Sequence, residues 1–147
     1  MAVDRSFVER NKAELNRLRA LVAKLSDADM ARSLDGGWTI GSTLAHLAFW
    51  DQRVIVLLDR WEKEGVFPAA YDSDVINPSL LPQWLALTPS AVRELVLKAA
   101  EGADKKLEGA KQEILDWVNK QPEPPIRVIR ALHRGEHIDQ IERALKK

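Results

Sequence analysis

The chain has 147 residues, 46% hydrophobic and 30% charged, which suits one domain with a substantial core and favours neither a disordered nor a membrane class. Basic and acidic residues number 22 each, and their signs alternate, as in Asp59-Arg60-Trp61-Glu62-Lys63-Glu64. That is the pattern of a solvated helix face, not the basic stripe of a nucleic-acid binder.

No apolar run approaches the roughly 20 residues that span a bilayer. The opening Met1-Ala2-Val3-Asp4-Arg5 lacks the basic and apolar regions of a signal peptide, so the cytoplasm is the expected compartment. There is no cysteine, hence no disulfide, no thiolate metal ligand and no thiol nucleophile of the protein's own.

The first helical pattern covers residues 4–25, with Val8, Leu15, Leu18, Val22 and Leu25 on one stripe and Asn11 in an interior slot. Residues 26–37 read as a polar connection ending at Gly36-Gly37. Thr39 is a good N-cap for a second helix from Ile40 to Glu64, stopped by Gly65. Its inward stripe is Thr43, His46, Leu47, Trp50, Val54, Leu57 and Trp61, which leaves Asp51, Gln52 and Asp59 towards water.

Residues 65–87 carry Pro68, Pro78 and Pro82 and read as a long, irregular connection. A link of this length can return the chain along the bundle and set the next helix parallel to the second. Thr88-Pro89 looks like N-cap and N1 of a third helix, with Val92, Leu95, Val96, Ala99 and Ala103 on its inner side. Gln112 to Lys120 either continues that helix or forms a short separate one. After Pro122, Pro124 and Pro125, a last helix is expected from Ile126 to Leu145. No alternating strand pattern occurs, so the predicted fold class is all-α, a four-helix bundle forming a single domain over residues 1–147.

The chemistry lies in three histidines. His133 and His137 are four apart, so both face one side of the last helix, with β-carbons about 6 Å apart. Two imidazoles so placed can converge on one ion about 2.0–2.1 Å from each nitrogen. They interrupt the stripe Ile126, Ile129, His133, His137, Ile141, Leu145, and His46 holds a similar inward place on the second helix. Facing helices of a bundle commonly build metal sites this way. The same spacing also fits a pair of hydrogen-bonded core histidines.

Trp38-Thr-Ile-Gly-Ser-Thr-Leu-Ala-His46-Leu-Ala-Phe-Trp50-Asp51 resembles the second-helix signature of the DinB/YfiT-like family of metalloenzymes. His133-Arg-Gly-Glu-His137-Ile-Asp-Gln-Ile141 resembles the family's final-helix motif. The resemblance spans nearly the whole chain and is least typical between Val92 and Pro125. It implies an up-down-down-up bundle, often a homodimer, with His46, His133 and His137 as the ligands of one divalent metal ion.

Three neutral imidazoles leave an open coordination position, as catalytic sites do. They suit zinc, nickel or iron, and equally copper. The resemblance further implies a small-molecule substrate and a low-molecular-weight thiol cosubstrate, the thiol being activated for transfer to an electrophile. Hydrolysis by metal-bound hydroxide uses the same ligands. A metal-binding or dimerising module without catalysis, of a stress-related kind, is the reading from another class.

Around the triad, Arg53 and Arg130 lie seven residues from His46 and His137 and could hold a cosubstrate carboxylate, or else make surface ion pairs. Trp50 could line the pocket. Asp51 and Asp139 could orient an imidazole from behind, with solvation the simpler fate of both. Glu136 points about 100° away from His137 and is a poor ligand.

Overall fold

The computed structural model describes residues 3–147. Among these residues there are seven α-helices: α1 (Phe7–Lys24), α2 (Asp27–Met30), α3 (Ile40–Glu64), α4 (Ser73–Leu85), α5 (Pro89–Glu108), α6 (Gln112–Lys120) and α7 (Arg130–Leu145). The four long helices α1, α3, α5 and α7 pack into the bundle. None of the helices is long and apolar enough to cross a membrane.

Side-chain contacts give the relative directions. Asn11 meets Ala131 and Arg17 meets Asp139, so α1 and α7 run the same way. Gly102 lies against Ile55 and Lys106 pairs with Asp59, so α3 and α5 also run the same way. His46 meets His133 while Asp51 meets Arg130, so α3 opposes α7.

The caps explain where the helices begin. Thr39 accepts from the Ser42 amide at 3.0 Å and Ser42 Oγ accepts from the Thr39 amide at 2.8 Å, a reciprocal box that starts α3. Gly65, at φ 86°, ends it in a conformation that side chains resist. Thr88 accepts from the Ala91 amide, and Pro89 opens α5 where its missing N–H costs nothing.

The structure corrects five expectations. The link 65–87 is largely helical, because Asp72 caps α4 through the Asp74 amide. Pro78 and Pro82 are four apart, so their missing donors fall on one helix face. The last helix begins at Arg130, four residues later than the periodicity suggests. Leu95 is exposed, and the inner face of α5 turns instead through Val92, Val96, Ala99, Ala100 and Ala103. Asp51 is buried. The 26–37 connection also contains α2, whose Met30 enters the core. Gln112–Lys120 is a separate helix.

The apolar interior is divided in two. One cluster gathers around Leu18, Leu44, Leu47, Val96 and Ile138, and a second around Phe7, Trp61, Leu107, Leu115 and Val118. Between them each long helix contributes buried or half-buried polar residues: Asn11 from α1, Asp51 from α3, Asp104 from α5, and Arg130 with Arg134 from α7. Ile129, the N-cap of α7, makes no side-chain capping bond. Asn11 takes that role from another helix: its Oδ1 accepts from the Ala131 amide at 2.9 Å and its Nδ2 donates to the Val128 carbonyl at 3.1 Å. Replacing Asn11 by Ala strips the Ala131 amide of its partner in a dry setting, at a cost of about 1–3 kcal/mol, while the Val128 carbonyl keeps the Arg130 amide. Urea unfolding of Asn11→Ala is therefore expected to show about 1–3 kcal/mol of lost stability, and a change within about 0.5 kcal/mol would contradict this capping role.

Candidate metal centre

The triad stands where α3 and α7 cross. Every residue from Ile40 to Ala48 is buried, so His46 is enclosed on all sides of its helix turn. His133 and His137 come from successive turns of α7 and are half-buried. The three ring centroids are 4.9 Å apart in each pairing. One nitrogen from each ring lies within 4.8 Å of the others. The three histidines singled out by spacing are thus brought together.

Each ring is held. His46 is flanked edge-on by Trp38 and Trp84, with ring centroids 5.4 Å away in both cases. Trp38 closes over the entry to α3, and Trp84 of α4 abuts the site. His137 Nδ1 is 3.0 Å from Gln140 Oε1, an acceptor that the Nδ1–H tautomer satisfies while leaving Nε2 free to ligate. Such a bond on the far nitrogen fixes the tautomer of a ligating imidazole.

His46 Nε2 and His133 Nε2 are 2.9 Å apart. Nitrogens on a tetrahedral ion, each about 2.0–2.1 Å from it, lie about 3.3–3.4 Å apart. An ion would enter by spreading this pair by less than about half an ångström. His46 Nδ1 is buried with no partner in full hydrogen-bond geometry; its neighbour Asn77 accepts from Trp50 Nε1 at 2.9 Å.

The electrostatics favour the ligand form. Burial, reinforced by His137, pushes the His46 pKa down to about 4. Burial, then His46 and His137, pushes His133 down to about 2. Both are neutral at pH 7 and offer lone pairs. The donor set, its convergence and its protonation state fit a borderline divalent ion.

The triad lines a cavity of about 510 Å³, within the range of small-molecule sites. Trp50, Tyr71, Asn77, Arg127, Glu136 and Gln140 contribute to its walls. Arg53 and Arg130 also line it, but each is partly committed. Arg53 donates to the carbonyls of Ala69 and Pro125, the former at 2.8 Å, and lies 4.7 Å over the Tyr71 ring. It therefore ties the link to the loop before α7. Arg130 donates from Nε to Asp51 Oδ1 at 2.7 Å.

Asp51 lies behind the cavity and touches no imidazole. It is 1% exposed and receives both Arg130 and Arg134, which corrects the expectation of a water-facing or ring-orienting carboxylate. Asp139 is on the surface, paired with Arg17. Arg134 and Asp104 went unnoticed in the sequence. Arg134 sits inside the His-Arg-Gly-Glu-His run, where a charged residue between two histidines passes for a solvated one. Trp61 and Trp117 pack edge to face away from the site.

An all-α bundle with three imidazoles gathered in its interior defines a histidine-triad helical bundle. Residues 12–134 match the family model described as the mycothiol maleylpyruvate isomerase N-terminal domain. The chain belongs to this family, which is DinB/YfiT-like. No curated protein matches it in sequence.

Among solved structures, it is similar to a crystal structure of a histidine-to-alanine mutant of the mycothiol-dependent maleylpyruvate isomerase, with a TM-score of 0.65 and 15% identity. The match covers 92% of this chain and 56% of that one, so the chain spans little more than half of that structure's length. At this identity the likeness speaks for the fold.

Two histidines with depressed pKa values make the metal-free protein pH-sensitive. The unfolded chain takes up these protons near pH 6.5, and the folded chain only near 4 or below. Their contribution to stability is complete above 6.5 and is lost as pH falls towards 4. The melting temperature of chelator-treated protein is expected to drop steadily from pH 7 to 5, above the range in which most carboxylates titrate. A flat profile over that interval would contradict neutral His46 and His133 in the folded chain.

Proposed function

We propose that the protein is a divalent-metal-dependent enzyme that activates a low-molecular-weight thiol for attack on an electrophilic small molecule, with His46, His133 and His137 holding the ion. The observation that carries this reading is the convergence of three lone-pair-bearing imidazoles on the wall of a cavity large enough for two small reactants. Zinc, nickel and iron all suit such a donor set. A divalent ion held there supplies Lewis acidity, lowering the pKa of a coordinated thiol or water towards neutrality.

The chain's own residues do the rest. His46 and His133 stay neutral and add no charge to cancel that of the ion. Trp38, Trp84 and Gln140 fix the ring orientations. Trp50 and Tyr71 give the cavity apolar walls that exclude water from the reacting atoms. Arg127 and Arg130 place positive charge on the same wall, suited to an anionic group of either reactant.

With no cysteine in the chain, the nucleophilic sulfur must come from the cosubstrate. Its lone pair forms the S–C bond. The electron pair displaced from the electrophilic carbon either leaves with the departing group or takes up the proton that the thiol released.

The relative in the structural match is named as an isomerase that depends on mycothiol. A thiol that adds and is later expelled would act as a cofactor there, whereas a thiol retained in the product makes the reaction a transfer. Incubating metal-loaded protein with mycothiol, bacillithiol, glutathione or coenzyme A and a panel of electrophiles, followed by mass spectrometry, distinguishes the two. Conjugate formation or thiol-dependent isomerisation with at least one thiol is expected. Inactivity with every thiol alongside ester or amide hydrolysis would overturn the thiol reading in favour of a metal-hydroxide hydrolase. His46→Ala, His133→Ala and His137→Ala are each expected to weaken metal binding more than a hundredfold, beyond the roughly 10–100-fold typical of outer partners. Unchanged metal content in any one would remove that residue from the site.

A further inference from the structure

Behind the triad lies a buried ionic layer whose geometry is coupled to it. Arg134 is wholly buried and donates to four carbonyl or carboxylate partners: Asp51 Oδ2 at 3.3 and 3.4 Å, both oxygens of Asp104 at 2.7 and 2.9 Å, the Ala100 carbonyl at 3.2 Å and the Asn11 carbonyl at 3.3 Å. Asp51 accepts Arg130 on one oxygen and Arg134 on the other. Thus α3 supplies one histidine and one aspartate, while α7 supplies two histidines and two arginines. Arg130 and Arg134 each precede a ligand by three residues and alternate with the histidines along successive turns. A slip of α7 by one turn, about 5.4 Å, or a rotation by one residue, about 100°, would break the ion pairs and separate the rings together.

Burial of such charges is a poor way to gain stability. Desolvation offsets the attraction, and well-packed apolar replacements of buried ion pairs are often as stable or more so. What the layer provides is direction: a planar five-donor fork accepts only one arrangement of partners, whereas the apolar clusters on either side tolerate sliding.

We infer that Arg134, with Asp51 and Asp104, is a positioning residue for the metal centre, locking α7 in the register at which His133 and His137 meet His46. This rests on the triad's reading as a metal site, but the register it claims is also visible without metal.

The test is the apolar pair R134M/D104L, which removes the α5 arm while leaving Asp51 paired with Arg130, and in parallel Arg134→Lys, which keeps the charge and loses the fork. Two readouts are taken: cobalt(II) affinity with its visible absorption bands, and ring-to-ring nuclear Overhauser contacts among the three imidazoles in metal-free protein. Both variants are expected to keep native helical circular dichroism and cooperative melting. R134M/D104L should bind cobalt at least about tenfold more weakly, with shifted bands, and should lose the His46–His133 contact. Arg134→Lys should fall in between.

A folded variant with parental imidazole contacts and parental cobalt spectrum overturns the inference. If the parent binds no cobalt, the metal reading fails, and the imidazole contacts alone still decide the register claim. If R134M/D104L does not fold, Arg134→Lys decides it.

Discussion

The carboxylate of Asp51, shared between two arginines of α7, is the contact on which the arrangement of this bundle turns. It joins the helix carrying one histidine to the helix carrying two, and through Arg134 it reaches α5 at Asp104 and α1 at the Asn11 carbonyl. Charges rule Arg134 in both directions. Burial alone would lower its pKa, but the charges of Asp51 and Asp104 and its bonds to them outweigh this and raise it, so the guanidinium stays ionised. Asp104, raised by burial against the pull of Arg134, is held by the same bonds. All four long helices are thereby tied at one level, with apolar packing above and below.

This layer also explains why the geometry of the histidine triad is not a matter of local sequence. A four-residue histidine spacing guarantees a shared face on α7 and nothing more. Whether that face looks at His46 depends on the rotation of α7 about its axis. Asn11 fixes where the helix starts, the arginines fix how it is turned, and Trp38 and Trp84 fix the ring that it meets. The three rings come together as a product of contacts from α1, α3, α4, α5 and the loop before α3.

Much of this was legible in the amino-acid order. Stripes at 3.6-residue spacing, the Thr39 and Thr88 caps and the Gly65 stop give the long helices to within a few residues, because local propensity and burial agree there. The histidines were legible because they break apolar stripes at inward positions. Asp51 and Arg134 were not, since a charged residue in a mixed stripe looks solvated until its partners on other helices are known. Leu95 misled for the mirror reason, an apolar residue that no neighbouring helix covers. The α4 helix was hidden by Pro78 and Pro82, whose disruption is tolerated when both fall on the same side. Late initiation of α7 reflects a cap supplied from 120 residues away, which no window along the chain contains.

The family membership and the geometry meet at the central claim, that three imidazoles share one divalent ion and leave a position free. X-ray absorption at the metal edge of protein loaded with one equivalent of zinc tests it most directly. The account predicts three imidazole nitrogens at about 2.0–2.1 Å plus one lighter scatterer replaced by sulfur when a small thiol is added. A spectrum with fewer than three imidazoles, or with a shell that no thiol perturbs, would contradict it.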